Sequence, residues 1–199
     1  MNNKERSPFT PGSPVPYEFF VGRAERIEEL IRYAKQIKFG KQEHIFLEGD
    51  RGIGKSSLAS FLRQYVSTKY NILGIHVFLG RVLTLEEMVR HIFEQILKST
   101  RGETWFDNIS KFFGNHIKEI DLFGISMSFS PPERDLKELV RNFPEAIYNL
   151  LEKLKGKKTG LFIVLDDING LAENSEFANW YKSFADEVST KYEKFPVFI

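Results

Sequence analysis

Gly49-Asp50-Arg51-Gly52-Ile53-Gly54-Lys55-Ser56 fits the pattern G-x-x-x-x-G-K-[ST], whose residue types and spacing suit a phosphate cradle. Gly49, Gly52 and Gly54 can take backbone angles closed to other residues. The N–H groups of the loop, those of Asp50, Arg51 and Ile53 included, can then point inward around a phosphate. A helix starting at the loop's end contributes its unpaired amides and the positive end of its dipole. Lys55 is placed to reach the β- and γ-phosphates. The Ser56 hydroxyl can ligate Mg²⁺, with Ser57 beside it in the first helical turn. The spacing predicts binding of a nucleoside triphosphate with magnesium.

A second chemical element lies far downstream. Leu161-Phe162-Ile163-Val164-Leu165 is a continuous apolar run, the signature of a strand buried on both faces, and it ends in Asp166-Asp167. Carboxylates at the carboxyl end of such a strand emerge where open α/β folds bind ligands. This is the Walker B pattern. Asp166 is expected to hold Mg²⁺, through water, since magnesium keeps most of its hydration shell. Asp167 is then placed to orient or deprotonate an attacking water.

These groups need strands and helices to carry them. His44-Ile45-Phe46-Leu47-Glu48 reads as a short apolar strand entering the glycine loop, and Leu58, Phe61, Leu62 and Tyr65 recur at helical spacing after it. Upstream, Ile27, Leu30, Ile31, Ala34 and Ile37 mark one face of a helix. A strand is expected from Ile72 to Leu79. A helix is expected from Thr84, where Thr84 and Glu87 have capping-box spacing. In the less regular stretch 101–133, Ile125, Met127 and Phe129 alternate with small polar residues, which predicts a hairpin with 116–120 and a turn near Asp121. A helical pattern then runs from about Arg134 to Lys155, and Pro144 inside it should kink or divide it. Lys155-Gly156-Lys157-Lys158 reads as a solvated basic turn. Alternating strands and helices predict an α/β fold of three layers, a parallel sheet covered by helices on both faces.

Composition narrows the function. Lys and Arg total 28 against 27 for Asp and Glu, so charge offers no argument for nucleic acid. The chain has no cysteine, which excludes disulfides, thiolate zinc sites and cysteine nucleophiles and agrees with a cytoplasmic location. No apolar run approaches the ~20 residues needed to cross a bilayer. Residues 1–16, with Pro8, Pro11, Pro14 and Pro16, read as a mobile lead-in before a domain at 17–199. His44, His76, His91 and His116 show no metal-ligand spacing and read as structural. Nineteen phenylalanines predict an aromatic-rich core.

Together with these two motifs, Phe20-Val21-Gly22-Arg23-Ala24-Glu25 before the first helix resembles the F-V-G-R-x-x-E segment of AAA+-related and STAND-type P-loop ATPases. The resemblance implies the ASCE-type P-loop NTPase fold. It also implies that the Val21-Gly22 step reads adenine and that Arg23 helps to hold it. The Asp166-Asp167 pair looks more STAND-like than typical AAA+. Many such ATPases carry Glu at the second position, and the shorter Asp167 implies slow turnover. No N-K-x-D segment is present, which favours adenine over guanine.

In the family, the strand beginning at Phe195-Pro196-Val197-Phe198-Ile199 lies between the P-loop strand and the Walker B strand. The resemblance therefore implies a domain cut short in its fourth core strand, with sensor residues and helical lid beyond it. Arg101, Arg134 and Arg141 offer no motif that marks an arginine finger.

The expected function is an Mg·ATP-dependent molecular switch that hydrolyses slowly and passes its state to another domain or subunit. Self-association or a protein partner would engage it through the region beyond the chain. Two alternatives are a nucleic-acid remodeller or loader of the origin-recognition kind, and a nucleotide-binding scaffold without hydrolysis.

Overall fold

The computed structural model describes residues 22–120 and 126–199, and within this span the apolar patterning is resolved into a sheet with helices on both faces. The first helix, α1 (Ala24–Ala34), continues into a 3₁₀ turn at Lys35–Phe39. The P-loop leads into α2 (Lys55–Tyr70), which ends at Asn71 in the left-handed conformation. Strand β1 (Leu73–Phe78) follows, then α3 (Leu85–Thr100), whose first turn is capped by Thr84 Oγ1 accepting from the Glu87 N–H at 3.3 Å. This is the backbone half of the expected capping box.

The stretch read as irregular contains a helix that its sequence did not disclose, α4 (Phe106–Phe113). After it, β2 (Ile117–Ile120) pairs antiparallel with β3 (Ser126–Phe129), as the alternation predicts. The expected turn at Asp121, together with Ile125, lies outside the described residues. Pro144 divides the long helical pattern: α5 (Glu133–Arg141) stops at Asn142, and α6 (Phe143–Leu154) begins with the proline in its first turn. There its missing N–H costs nothing. Strand β4 (Leu161–Asp166), the short α7 (Asn169–Ala172), α8 (Ser175–Lys191) and β5 (Val197–Phe198) complete the described chain.

The main sheet has the order β1-β4-β5 and is parallel throughout. The segment before the P-loop joins the far side of β5: Glu43 N–H donates to Val197 O, Ile199 N–H to Glu43 O and Ile45 N–H to Ile199 O. So β5 lies between β4 and the segment before the glycine loop, as the resemblance implies. The expected strand His44–Glu48 is reduced to a single bridge at Glu43. The ladder ends at the Ile45–Ile199 bond, and Phe46 to Glu48 have no ladder partner among the described residues.

Side-chain alternation splits the core in two. Leu161 and Ile163 of β4 face a large cluster formed with α3, α4, α6 and α8, while Phe162 and Val164 face a smaller one formed with α1 and α2. Each fully buried Leu, Ile or Phe contributes about 1.5–3 kcal/mol of transfer free energy, so both faces of β4 are held strongly. The aromatic surplus packs as expected: Phe93 touches Phe113, Phe129 and Phe143 with ring centroids 5.8–6.0 Å apart.

A polar bolt crosses the larger cluster. The Tyr181 hydroxyl of α8 is hydrogen-bonded to His44 Nδ1, and the His44 ring meets Tyr181 and Phe184 edge-on. Burial lowers the His44 pKa and raises that of Tyr181, so both stay neutral. Tyr181→Phe leaves His44 Nδ1 without a hydrogen-bond partner and should cost about 1–3 kcal/mol, read as a lower urea midpoint. A histidine held below its ordinary value contributes stability that is full above that value, 6.5, and lost as pH falls through the depressed folded value. His91 is also lowered, mainly by burial, and acts in the same direction. The urea midpoint should therefore fall as pH drops below 6.5. A flat profile there would contradict neutral burial of both rings.

Candidate nucleotide site

The loop 49–54 can close only because its glycines take conformations closed to other residues: Gly49, Gly52 and Gly54 have φ of 140°, 86° and 89°. At Gly49 a Cβ would also come within 2.5 Å of Ile53 Cδ1. Gly54 is the N-cap of α2, so Lys55 and Ser56 occupy the helix's first turn, where amides are unpaired and the dipole is positive. The Lys55 ammonium is folded back over the loop and donates to the carbonyls of Gly49 at 2.6 Å and Asp50 at 2.8 Å. Arg51 is exposed on the loop. Ser57 stands next to Ser56 in the first turn.

The expected adenine-binding segment is joined physically to the same loop. Arg23, at the N-cap of α1 with φ of 55°, donates from Nη2 to the carbonyl of Ile53. Gly22 before it has φ of 88°, and Val21 lies outside the described residues. A cavity of about 520 Å³ adjoins the loop, with Arg23, Tyr33, Phe46, Glu48, Ile53 and Lys55 in its walls. It combines apolar walls with a few converging charges, which is the usual make-up of a small-ligand site.

The two sequence motifs meet at Asp166. Its Oδ1 accepts from the Ser56 hydroxyl at 3.0 Å, joining α2 to the end of β4 across 110 residues. Its Oδ2 accepts from His76 Nε2, also at 3.0 Å. These contacts hold the carboxyl below the ordinary carboxylate range. The His76 hydrogen bond is the largest cause, burial works against it, and Ser56 and the Asp167 backbone assist. Asp166 is thus an anion beside a hydroxyl, a pair of hard oxygen donors of the kind magnesium takes. Among the described residues no cluster of three or more His, Cys, Asp or Glu could hold a metal. Magnesium bound together with phosphates commonly takes only one or two protein oxygens.

His76 is the residue that sequence reasoning missed, because it was assigned a merely structural part. In β1, period two puts Gly74, His76 and Phe78 on one face, and that polar residue in an apolar strand was the available signal. What made it informative was sheet order, which sets β1 directly beside β4 with Phe78 opposite Asp166. The exposed Phe78 ring stacks on His76, with centroids 4.3 Å apart, and fixes its plane.

Asp167 is close in sequence but held apart. It has φ of 58°, a left-handed conformation that aspartate tolerates better than most residues, and its Oδ1 accepts from Asn169 Nδ2 at 2.7 Å. Its Oδ2 lies over Gly80, where a Cβ would approach to 2.5 Å, so a larger residue there would displace this carboxylate.

A depressed carboxylate contributes stability that is present above its ordinary pKa and lost as pH falls through the folded value. In His76→Ala the largest cause of the Asp166 depression is gone. Its carboxyl ¹³C titration should move upward toward the ordinary range, and the acid-side loss of stability that this group causes should shrink. An unmoved titration would mean that Ser56 and the Asp167 backbone suffice to set it.

A family model described as AAA ATPase domain matches residues 20–188. No curated protein and no solved structure gives a match. Among the described residues no helix is long and apolar enough to cross a membrane.

Proposed function

The chain belongs to the AAA ATPase domain family, and on that premise we propose that it is an Mg·ATP-dependent molecular switch that hydrolyses slowly. The observation that carries this reading is the Ser56–Asp166 hydrogen bond, which brings the phosphate loop and the carboxylate strand end to one point. In this reading the N–H groups of Gly49 to Ser57 cradle the phosphates and Lys55 supplies a cation to them. Ser56 and Asp166 hold Mg²⁺, which when bound neutralises charge on the phosphates. The cavity bordered by Arg23 and Ile53 takes the nucleoside, adenine being favoured by the lack of a guanine-recognition segment.

Asp167 sets the rate. Its carboxylate is short, and Asn169 already occupies one oxygen, so reorientation must precede any contact with an attacking water. Turnover is therefore slow until a partner domain or subunit alters that geometry. The same bond favours a second reading, a nucleotide-binding scaffold without hydrolysis. A loader acting on nucleic acid has less support, because the chain's charge is balanced. The lack of cysteine supports a reducing compartment such as the cytoplasm.

Thermal unfolding with Mg·ATP, Mg·GTP and no nucleotide tests the proposal. A ligand at 100 times its dissociation constant adds roughly 2.7 kcal/mol, a rise of roughly 5–10 °C for a chain of this size. The rise should occur with ATP alone and vanish in Lys55→Ala; an undiminished shift in that variant would sink the phosphate assignment. Asp166→Ala should abolish the magnesium dependence of binding. Phosphate release that is slow in the native chain, faster in Asn169→Ala and absent in Asp167→Ala would favour the switch over the scaffold. No release from any of the three would favour the scaffold.

A further inference from the structure

A second cavity lies away from the nucleotide site, on the hairpin and helix-pair side of the larger core. It encloses about 400 Å³, and its floor is aromatic: Phe93, Phe113 and Phe129 are buried, and Phe112 is half-buried. Their rings pack with centroids 5.2–6.0 Å apart. The rim is acidic. Asp135 and Glu138 come from α5 and Glu145 from α6.

The arrangement follows from helical spacing. Asp135, Glu138, Leu139 and Asn142 stand at i, i+3, i+4 and i+7, one face of α5, and all four line the cavity. The basic residues of the same helix, Arg134, Lys137 and Arg141, fall on other positions, and Lys137 is paired with Glu133 at 2.6 Å. Among the described residues lining the cavity there is no lysine or arginine. The neighbouring His116 Nε2 reaches Asp135 at 3.5 Å, Lys191 of α8 acts on Glu145 from outside the cavity, and no lysine or arginine of the cavity wall pairs with Glu138 or Glu145. A chain with a formal net charge of +1 thus concentrates three carboxylates around one apolar floor.

We propose that this cavity is a docking site for a basic side chain, arginine or lysine, presented by a protein partner. An aromatic face attracts a cation within about 6 Å of its centroid, and an apolar floor strengthens the pairing of that cation with surrounding carboxylates. Phe112 offers the accessible ring, and Glu138 and Glu145 supply the counter-charge. The same charge repels nucleic acid. The site shares no residue with the phosphate loop, and its occupancy is independent of the nucleotide reading.

The test is an NMR titration of the ¹⁵N-labelled chain with Nα-acetyl-arginine amide and Nα-acetyl-lysine amide, using Nα-acetyl-glutamine amide and Nα-acetyl-glutamate as controls. Saturable shifts at residues 112–116 and 135–149 with the cationic probes alone are expected. Affinity should fall at least fivefold in Glu138→Gln/Glu145→Gln, which keeps shape and removes charge, and should be unchanged in Lys55→Ala. Absence of saturable shifts, or an equal response to the glutamine probe, would overturn the proposal. So would concentration-dependent broadening of these resonances without any probe, which would mark a second copy of the chain as the occupant.

Discussion

Burial of β4 on both faces is the constraint from which the site follows. Five apolar residues in succession cannot leave one side to water, so α1 and α2 must cover one face and α3, α4, α6 and α8 the other. The run stops at Asp166, where the sheet ends and a charge can be tolerated. Because α2 starts at the same sheet edge, Ser56 arrives within hydrogen-bond distance of that carboxylate. The chemical groups meet because the packing of a parallel strand leaves them no other place.

Around this junction each polar group is given a defined partner. The Asp166 carboxylate divides its oxygens between Ser56 and His76, and Phe78 holds the His76 ring in plane. Asp167, one residue on, is turned by a left-handed backbone toward Asn169 and Gly80. Adjacent carboxylates thus have separate surroundings: one is held ionised beside a hydroxyl, the other is tethered at the loop. Such separation lets two identical side chains take different parts in one reaction.

The helices and hairpin between β1 and β4 enlarge the core on one side and shape a second surface there. Its rings form a continuous aromatic cluster centred on Phe93, while α5 turns carboxylates to the cavity and its basic residues elsewhere. Segregation of charge about an apolar floor gives that surface a strong local negative field.

Short-range signals were readable without the fold. The glycine-lysine-serine spacing, the apolar run ending in Asp166-Asp167, the cap at Thr84 and the break at Pro144 each depend on residues within a few positions of one another, and each element formed where expected. Helix α4 was hidden among aromatic residues that could equally pack in irregular chain. The strand at His44 to Glu48 contracted to one bridge because a ladder needs a partner, and its residues alone could not say how far that partner extends. His76 became informative only when β1 was set beside β4, and Asp167 only when its backbone turned toward Asn169. Sequence determined which groups could do chemistry, since residue type and local spacing fix donor, acceptor and charge. Tertiary structure decided which of them share a site, since strand order and loop direction arise from burial summed over the whole sheet.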